Sequence, residues 1–318
     1  MSALDKQDNN LKDKVAEWLS SEGYPLEFLT AGVFHKNGFR VEQGYYVQDI
    51  QSNALREIDV LAEKTIDVDP SFLRVCYVVE CKWSGDKPWV IFSSERHYMA
   101  PSACITQMIG SEAGQAILWS LAGDKLLQSL DVFSTPKCTG FNGRQAFTKG
   151  NDVFYNAMRS VTSAANSLAS EYDKGNRNPN DAIEWAVVIF PIIVLEGKLF
   201  EAIFDTQSGQ ILLKASDKVR IHWRGSETSG FPFTTIDIVT TDKLSDFVEA
   251  RGKETLVMFE RMVGCLKQLQ DCVEKRSLEP LTILRGPRGV LGLPPLLAEI
   301  RALAKADKSQ DNSTHSKS

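Results

Sequence analysis

Histidine is scarce in this sequence, 4 in 318 residues, and its 6 cysteines (Cys76, Cys81, Cys104, Cys138, Cys265 and Cys272) are scattered. No CxxC pair occurs and no cysteine–histidine cluster has zinc-ligand spacing, which excludes the usual structural zinc frameworks. The same scarcity leaves no histidine–acid context for a serine or cysteine nucleophile. Long apolar runs are missing too. The longest, Trp185 to Leu195, contains Pro191 and is too short to cross a bilayer. Residues 1–25 are polar and acidic, without the apolar core of a secretory leader. The expectation is a cytoplasmic chain with reduced thiols and no membrane partner. No dinucleotide fingerprint is present, and Gly286-Pro287-Arg288-Gly289 lacks the Lys-Ser/Thr of a phosphate-binding loop. No nucleotide cofactor is expected.

What the sequence does contain is an ordinary globular balance, 43% apolar and 24% charged. The net charge of −5 argues mildly against a basic coat for nucleic acid. That charge is unevenly placed. Residues 1–70 hold 7 Lys/Arg against 13 Asp/Glu, a net of −6, and the rest of the chain is close to neutral. Between Asp131 and Asp152 there is no acidic residue, but there are Lys137, Arg144 and Lys149.

The chain opens with helical spacing over Leu11 to Leu19 and again from Pro25 to a stop at Asn37-Gly38. Three strands follow: Phe39 to Gln48, Arg56 to Ile66, and Phe72 to Lys82, the last nearly continuously apolar and so expected to be buried on both faces. A mostly helical region over Ser102 to Gln128, a loop over Asp131 to Gly150, and an amphipathic helix over Asp152 to Tyr172 come next. Then come the turn cluster GNRNPND at Gly175 to Asp181 and a β-rich stretch with an expected hairpin at Glu196-Gly197. Helices are expected over Leu244 to Ala250, Lys253 to Lys275 and Leu296 to Ala304, before a polar, disordered tail. The expected division is a first domain over residues 1–175, an α+β extension or second lobe over 176–280, and a Pro/Gly-rich segment with a short helix and tail over 281–318.

The chemistry lies on the second and third strands. Asp59 stands in Arg56-Glu57-Ile58-Asp59-Val60-Leu61, and Glu80 and Lys82 close the apolar run Val75 to Val79. Two residues apart on a strand, Glu80 and Lys82 point to one side. Charges at the end of a core strand are costly unless paired or bound to metal. A turn at Asp67 to Ser71 would bring Asp59 beside Glu80, and two carboxylates forced together are relieved by a hard divalent cation. Lys82 would then position the attacking water or balance developing charge. The alternative is a cross-strand Asp59–Lys82 salt bridge with Glu80 exposed.

Ile58-Asp59 followed by Glu80-Cys81-Lys82, with a helix upstream and a hairpin between, resembles the PD-(D/E)xK nuclease superfamily. The match covers roughly residues 20–130, with Ile58 where the superfamily motif has proline. The resemblance implies a restriction-endonuclease-like αβββαβ core with a mixed sheet, in an α/β (α+β) chain carrying a C-terminal β-rich and helical extension. It also implies Mg²⁺-dependent hydrolysis of phosphodiester bonds in DNA, with Mn²⁺ as substitute and RNA left open. Asp59, Glu80 and the Cys81 backbone carbonyl would be the metal ligands, Lys82 the catalytic lysine, and Glu27 on the first core helix a supporting carboxylate. A restriction, defence or repair role in bacteria or phage would fit. A homodimer or partner subunit is left open, as is an inactive nucleic-acid-binding or regulatory subunit of a multi-protein system.

Lys87, in Lys82-Trp83-Ser84-Gly85-Asp86-Lys87-Pro88-Trp89, follows the lysine closely and is a candidate backbone contact. Trp89 reads as core. Lys137, Arg144 and Lys149 form a candidate phosphate clamp. Arg220, His222 and Arg224 alternate on one strand face, which reads as solvated.

Overall fold

The computed structural model describes residues 11–19, 23–50, 52–150, 152–175, 183–205, 207–224, 233–288 and 292–315. Helix α1 spans residues 11–19. The remaining helices are α2 (Tyr24–Lys36), α3 (Pro101–Thr106), α4 (Glu112–Ser120), α5 (Lys125–Ser129), α6 (Val153–Gly175), α7 (Thr241–Glu274) and α8 (Pro295–His315). The strands are β1 (Arg40–Gln48), β2 (Leu55–Val68), β3 (Ser71–Trp83), β4 (Trp89–Ser94), β5 (Ile109–Gly110), β6 (Thr139–Gln145), β7 (Trp185–Glu196), β8 (Leu199–Asp205), β9 (Gln210–Ala215), β10 (Lys218–Trp223) and β11 (Thr234–Thr240).

All eleven strands belong to one mixed sheet in the order β1-β2-β3-β7-β11-β10-β6-β4-β8-β9, with β5 paired to β7 off that path. β1, β2 and β3 form an antiparallel meander. β3 then pairs in parallel with β7 over its whole length, Phe72 opposite Trp185 through Trp83 opposite Glu196. A parallel partner needs a crossover, and α6 lies in that connection. β7 is buried along nearly its entire length, which is why it reads as an unbroken apolar run. No helix among the described residues is long and apolar enough to cross a membrane.

The sheet divides the core in two. One face packs with α2, α4, α7 and α8 through residues such as Phe34, Ile117, Leu266 and Leu297. The other packs against α6 through Phe154, Met158, Val161 and Leu168. β7, β10 and β11, drawn from the span 176–280, stand in the middle of this sheet rather than beside it.

The structure corrects several expectations. The loop expected over Asp131 to Gly150 contains a 3₁₀ turn, Asp131–Phe133, and strand β6. Two glycines hid that strand. A Cβ at Gly140 would stand 2.8 Å from Ile91, and one at Gly143 would stand 2.8 Å from Ile91 and 2.9 Å from Phe154, so close packing removes the side chains that announce a strand. The helical region after Ser102 is broken by β5 and by Gly123, where a Cβ would lie 2.1 Å from the Arg285 carbonyl. The Glu196-Gly197 hairpin does not form. β8 turns away from β7 and pairs with β4 and β9. The two expected helices after Leu244 are one, α7, running through Gly252, and α8 continues past Ala304 to His315. The GNRNPND cluster beyond Gly175 and the last residues 316–318 lie outside the described residues.

Arg220 and His222 are buried, not solvated. Arg220 grips Asp237 with Nε and Nη2, each at 2.8 Å, and Arg251 reaches the same carboxylate at 3.0 Å. The two guanidiniums hold the Asp237 carboxyl well below the usual range, against the opposing effect of its burial.

Candidate functional site

The site is built where β2 parts from β3. Their antiparallel ladder runs from Val68 opposite Ser71 to Val60 opposite Val79 and stops there. The next facing residues are Asp59 and Glu80. β2 continues alongside β1, and β3 alongside β7, so the two strands separate and leave a slot. The Asp59 carboxylate spans it, Oδ2 accepting the Cys81 backbone N–H at 2.7 Å in place of a ladder carbonyl. On the β3 side, Lys82 Nζ lies 2.5 Å from Glu80 Oε1 and donates to the Cys81 carbonyl at 3.1 Å. Glu80 and Lys82 thus share a side, as strand alternation requires.

Helix α2 delivers Glu27 to this slot. Gly23 adopts the left-handed conformation (φ 81°) that turns the chain into the helix, Pro25 occupies the first turn, and Glu27 follows there. The buried face of α2 fixes its position: Phe34 meets Phe39 and Tyr77 with ring centroids 5.3 Å and 5.9 Å away. Thr30 Oγ1 lies 3.7 Å from the Cys81 thiol, tying helix to strand directly behind the slot.

Electrostatics bind these residues into one unit. Burial, then the neighbouring Glu80 charge, push the Asp59 carboxyl up to about 7, although the Cys81 N–H and Lys82 work the other way. Burial likewise raises Glu27, helped by Glu57 and Glu80 and opposed by Lys82. Burial would lower the Lys82 ammonium, but Glu80 outweighs it and Lys82 is raised, so it stays charged. Cys81 is pushed up by burial and by Asp59, so its thiol is a neutral packing group rather than a nucleophile.

Asp59, Glu80, Cys81, Lys82 and Glu27 therefore come together. The proposed clamp divides. Lys87 is exposed in the tight turn after β3, where its N–H donates to the Ser84 carbonyl at 3.1 Å. The end of β6 reaches that turn: Ala146 N donates to the Pro88 carbonyl at 2.8 Å, and Gln145 Nε2 to the Ser84 carbonyl at 3.4 Å. Exposed Arg144, next to Gln145, thus lies toward the site end, and Lys149 is exposed three residues after Ala146. Lys137 lies before the other end of β6, paired with Glu95 at 2.8 Å, about 17–20 Å of strand away. Trp89 is fully buried, as its core reading requires.

Two residues beside the site escaped the sequence reading. Tyr46 faces Glu57 across β1 and β2, and the Glu57 charge raises its hydroxyl; Phe28 follows Glu27. Both are more than half exposed, and nothing in the local pattern distinguishes an exposed ring from a core one.

Asp59, Glu80 and the Cys81 carbonyl are hard oxygen donors of the kind Mg²⁺ takes, and after burial it is the neighbouring Glu80 charge that raises the Asp59 carboxyl. These donors fit such an ion. Among the described residues no group of three His, Cys, Asp or Glu side chains could hold a metal, so the remaining positions would fall to the backbone, water and substrate. No family model, no curated protein and no solved structure matches this chain.

Proposed function

We propose that this protein is a Mg²⁺-dependent nuclease that hydrolyses phosphodiester bonds in DNA, with a core of the restriction-endonuclease type. The observation that carries this reading is the parting of β2 and β3 at the facing pair Asp59 and Glu80, with Lys82 on the same strand side as Glu80. The run α2, β1, β2, β3, and the later pair α6 and β7 with β7 parallel to β3, supports an αβββαβ core into which β4 to β6 and α3 to α5 are inserted between β3 and α6.

In this reading Asp59, Glu80 and the Cys81 carbonyl hold the ion. The bound ion supplies Lewis acidity toward the phosphate and lowers the pKa of water. Lys82 moves from its pairing with Glu80 toward the attacking water or the phosphate oxygens, where its retained positive charge offsets the charge that develops. To hold such an ion Asp59 would have to give up the proton that burial and Glu80 favour. Glu27 holds the outer side of the slot and orders water there. The Lys82–Glu80 contact also suits an inactive fold that keeps its charged pair only for stability.

Nicking of supercoiled plasmid with and without Mg²⁺ decides between these. The nuclease reading expects cutting that needs the ion and falls by at least about a hundredfold in Lys82→Ala and Asp59→Asn proteins that retain their fold. Cutting that is unchanged in both variants, or absent from the wild type with Mg²⁺ and with Mn²⁺, overturns it.

A further inference from the structure

We propose that β9 is a dimer interface: two copies of this chain pair their β9 strands antiparallel across a two-fold axis and join their sheets into one. β9 closes the β4-β8-β9 end of the sheet, and no described strand lies beyond it. Its residues, Gln210-Ile211-Leu212-Leu213-Lys214-Ala215, are all exposed, with Ile211 at 71%, Leu212 at 53% and Leu213 at 61%. Phe204, which faces Ile211 from β8, is 61% exposed. An apolar edge with free N–H and C=O groups invites another strand, and sheets ordinarily guard such edges with charge or irregular backbone. The opposite edge of this sheet is guarded in that way. There β1 carries the Arg40–Glu42 ion pair at 2.6 Å and Gly44 in the left-handed conformation (φ 60°). β9 has Lys214 as its one charge. It stands at the far end of the sheet from β2 and β3, so the inference is independent of the nuclease reading.

Ladder geometry and charge name the occupant. The Ser216 N–H donates to the Leu199 carbonyl at 3.0 Å, and bonded positions recur at every second residue, so Lys214, Leu212 and Gln210 bond inward to β8. Ile211, Leu213 and Ala215 therefore turn their N–H and C=O groups to the open edge. A second β9 must bond through the same residues. With Ile211 opposite Leu213 of the second copy, and the reverse by symmetry, Leu212 meets its own equivalent on the axis and Lys214 meets Gln210. Every row then matches. On one face Phe204 and Ile211 continue into Leu213 and Ala202 of the second copy, and on the other Ile203 and Leu212 continue into Leu212 and Ile203. The outer rows run Asp205, Gln210, then Lys214 and Glu201 of the second copy, with no like charges side by side. A slide of two residues sets Leu212 against Lys214, and a further slide of two sets the lysines against each other. Such self-complementarity is what a two-fold interface requires, and nothing in an unrelated strand ensures it.

The test weighs the full chain by size-exclusion chromatography with light scattering, from submicromolar to high micromolar concentration. The wild type is expected to pass from the mass of one chain to that of two as concentration rises. Leu212→Lys and Leu212→Glu each set like charges face to face on the axis and should raise the dimer dissociation constant by at least about a hundredfold. Mixed in equal amounts, the two variants should dimerise again, because residue 212 faces itself only in this register. Leu212 is more than half exposed, so both variants should keep the fold, and recovery on mixing shows directly that they do. Leu213→Pro gives a second measure. It removes an outward N–H, leaves the bonds to β8 in place, and should also yield a monomer. A wild type that stays monomeric throughout overturns the proposal and leaves the edge to a different partner. A dimer that both charged variants leave intact overturns it too, as does a dimer lost in each variant and not restored on mixing.

Discussion

Replacing Asp59 by asparagine should change how stability depends on pH. The Asp59 carboxyl is raised from 3.8 to about 7 by burial and by Glu80. In the metal-free protein, between about pH 4 and pH 7, the folded chain holds a proton there that the unfolded chain has released. Stability therefore falls as pH rises through that window and levels off above it. A rise of that size corresponds to about 4 kcal/mol at pH 8. Asparagine removes the titration and keeps an amide oxygen for the Cys81 N–H. The variant should match the wild type near pH 4 and exceed it by up to about 4 kcal/mol at pH 8. Urea unfolding from pH 4 to pH 8.5 measures both proteins, and their difference cancels the shared groups that do not interact with Asp59, leaving Asp59 with its neighbours Glu80 and Glu27. Adding Mg²⁺ at pH 8 should narrow the gap, because an ion at Asp59 stabilises the wild type by mass action and has less to hold in the variant. A pH-independent difference between the two would refute the electrostatic account. So would a less stable variant at pH 8.

Further outcomes follow from the same geometry. Arg251→Met should lower stability by about 3–5 kcal/mol in urea titration, because it withdraws one of the two guanidiniums holding buried Asp237. Gly114→Ala should destabilise by about 1–3 kcal/mol or more, since its Cβ would stand 2.1 Å from the Val187 carbonyl on the central strand. Phe34→Ala should cost about 3–5 kcal/mol by emptying the contact with Phe39 and Tyr77, and in plasmid nicking it should slow cutting by freeing α2, which carries Glu27.

The local parts of this protein were legible in the sequence, and the long-range ones were not. The hairpin of β2 and β3 follows from alternation and a turn between two β-branched runs, and it suffices to bring Asp59 opposite Glu80. The closeness of Glu80 and Lys82 needs only the two-residue strand repeat. Glu27 came from the resemblance, which carries a glutamate on the first core helix, and α2 (Tyr24–Lys36) holds it in its first turn. Arg220 was misread because its partner Asp237 and the second arginine, Arg251, come from later elements, and a buried charge resembles an exposed one until its counter-ion is known. β6 was missed because tight packing selects glycine where a strand elsewhere shows valine. The Glu196-Gly197 turn looked like a hairpin, yet a Cβ at Gly197 would stand 1.8 Å from Ser84 Oγ. The glycine makes room where the chain leaves the parallel pair beside Ser84 instead of folding back.

That close approach ends the pairing of β3 with β7, in which Glu80 faces Ile193 and Lys82 faces Leu195. More than a hundred residues separate these partners along the chain. On a ribosome, β2 and β3 emerge early with Asp59, Glu80 and Lys82 already translated, but the strand that flanks β3 does not yet exist. The hairpin already sets Asp59 opposite Glu80, but β3 has its second neighbour, and the pair its burial between strands, only once residue 196 is free to pair. The cluster of Asp59, Glu80 and Lys82 is therefore completed late in synthesis, once β7 can join β3.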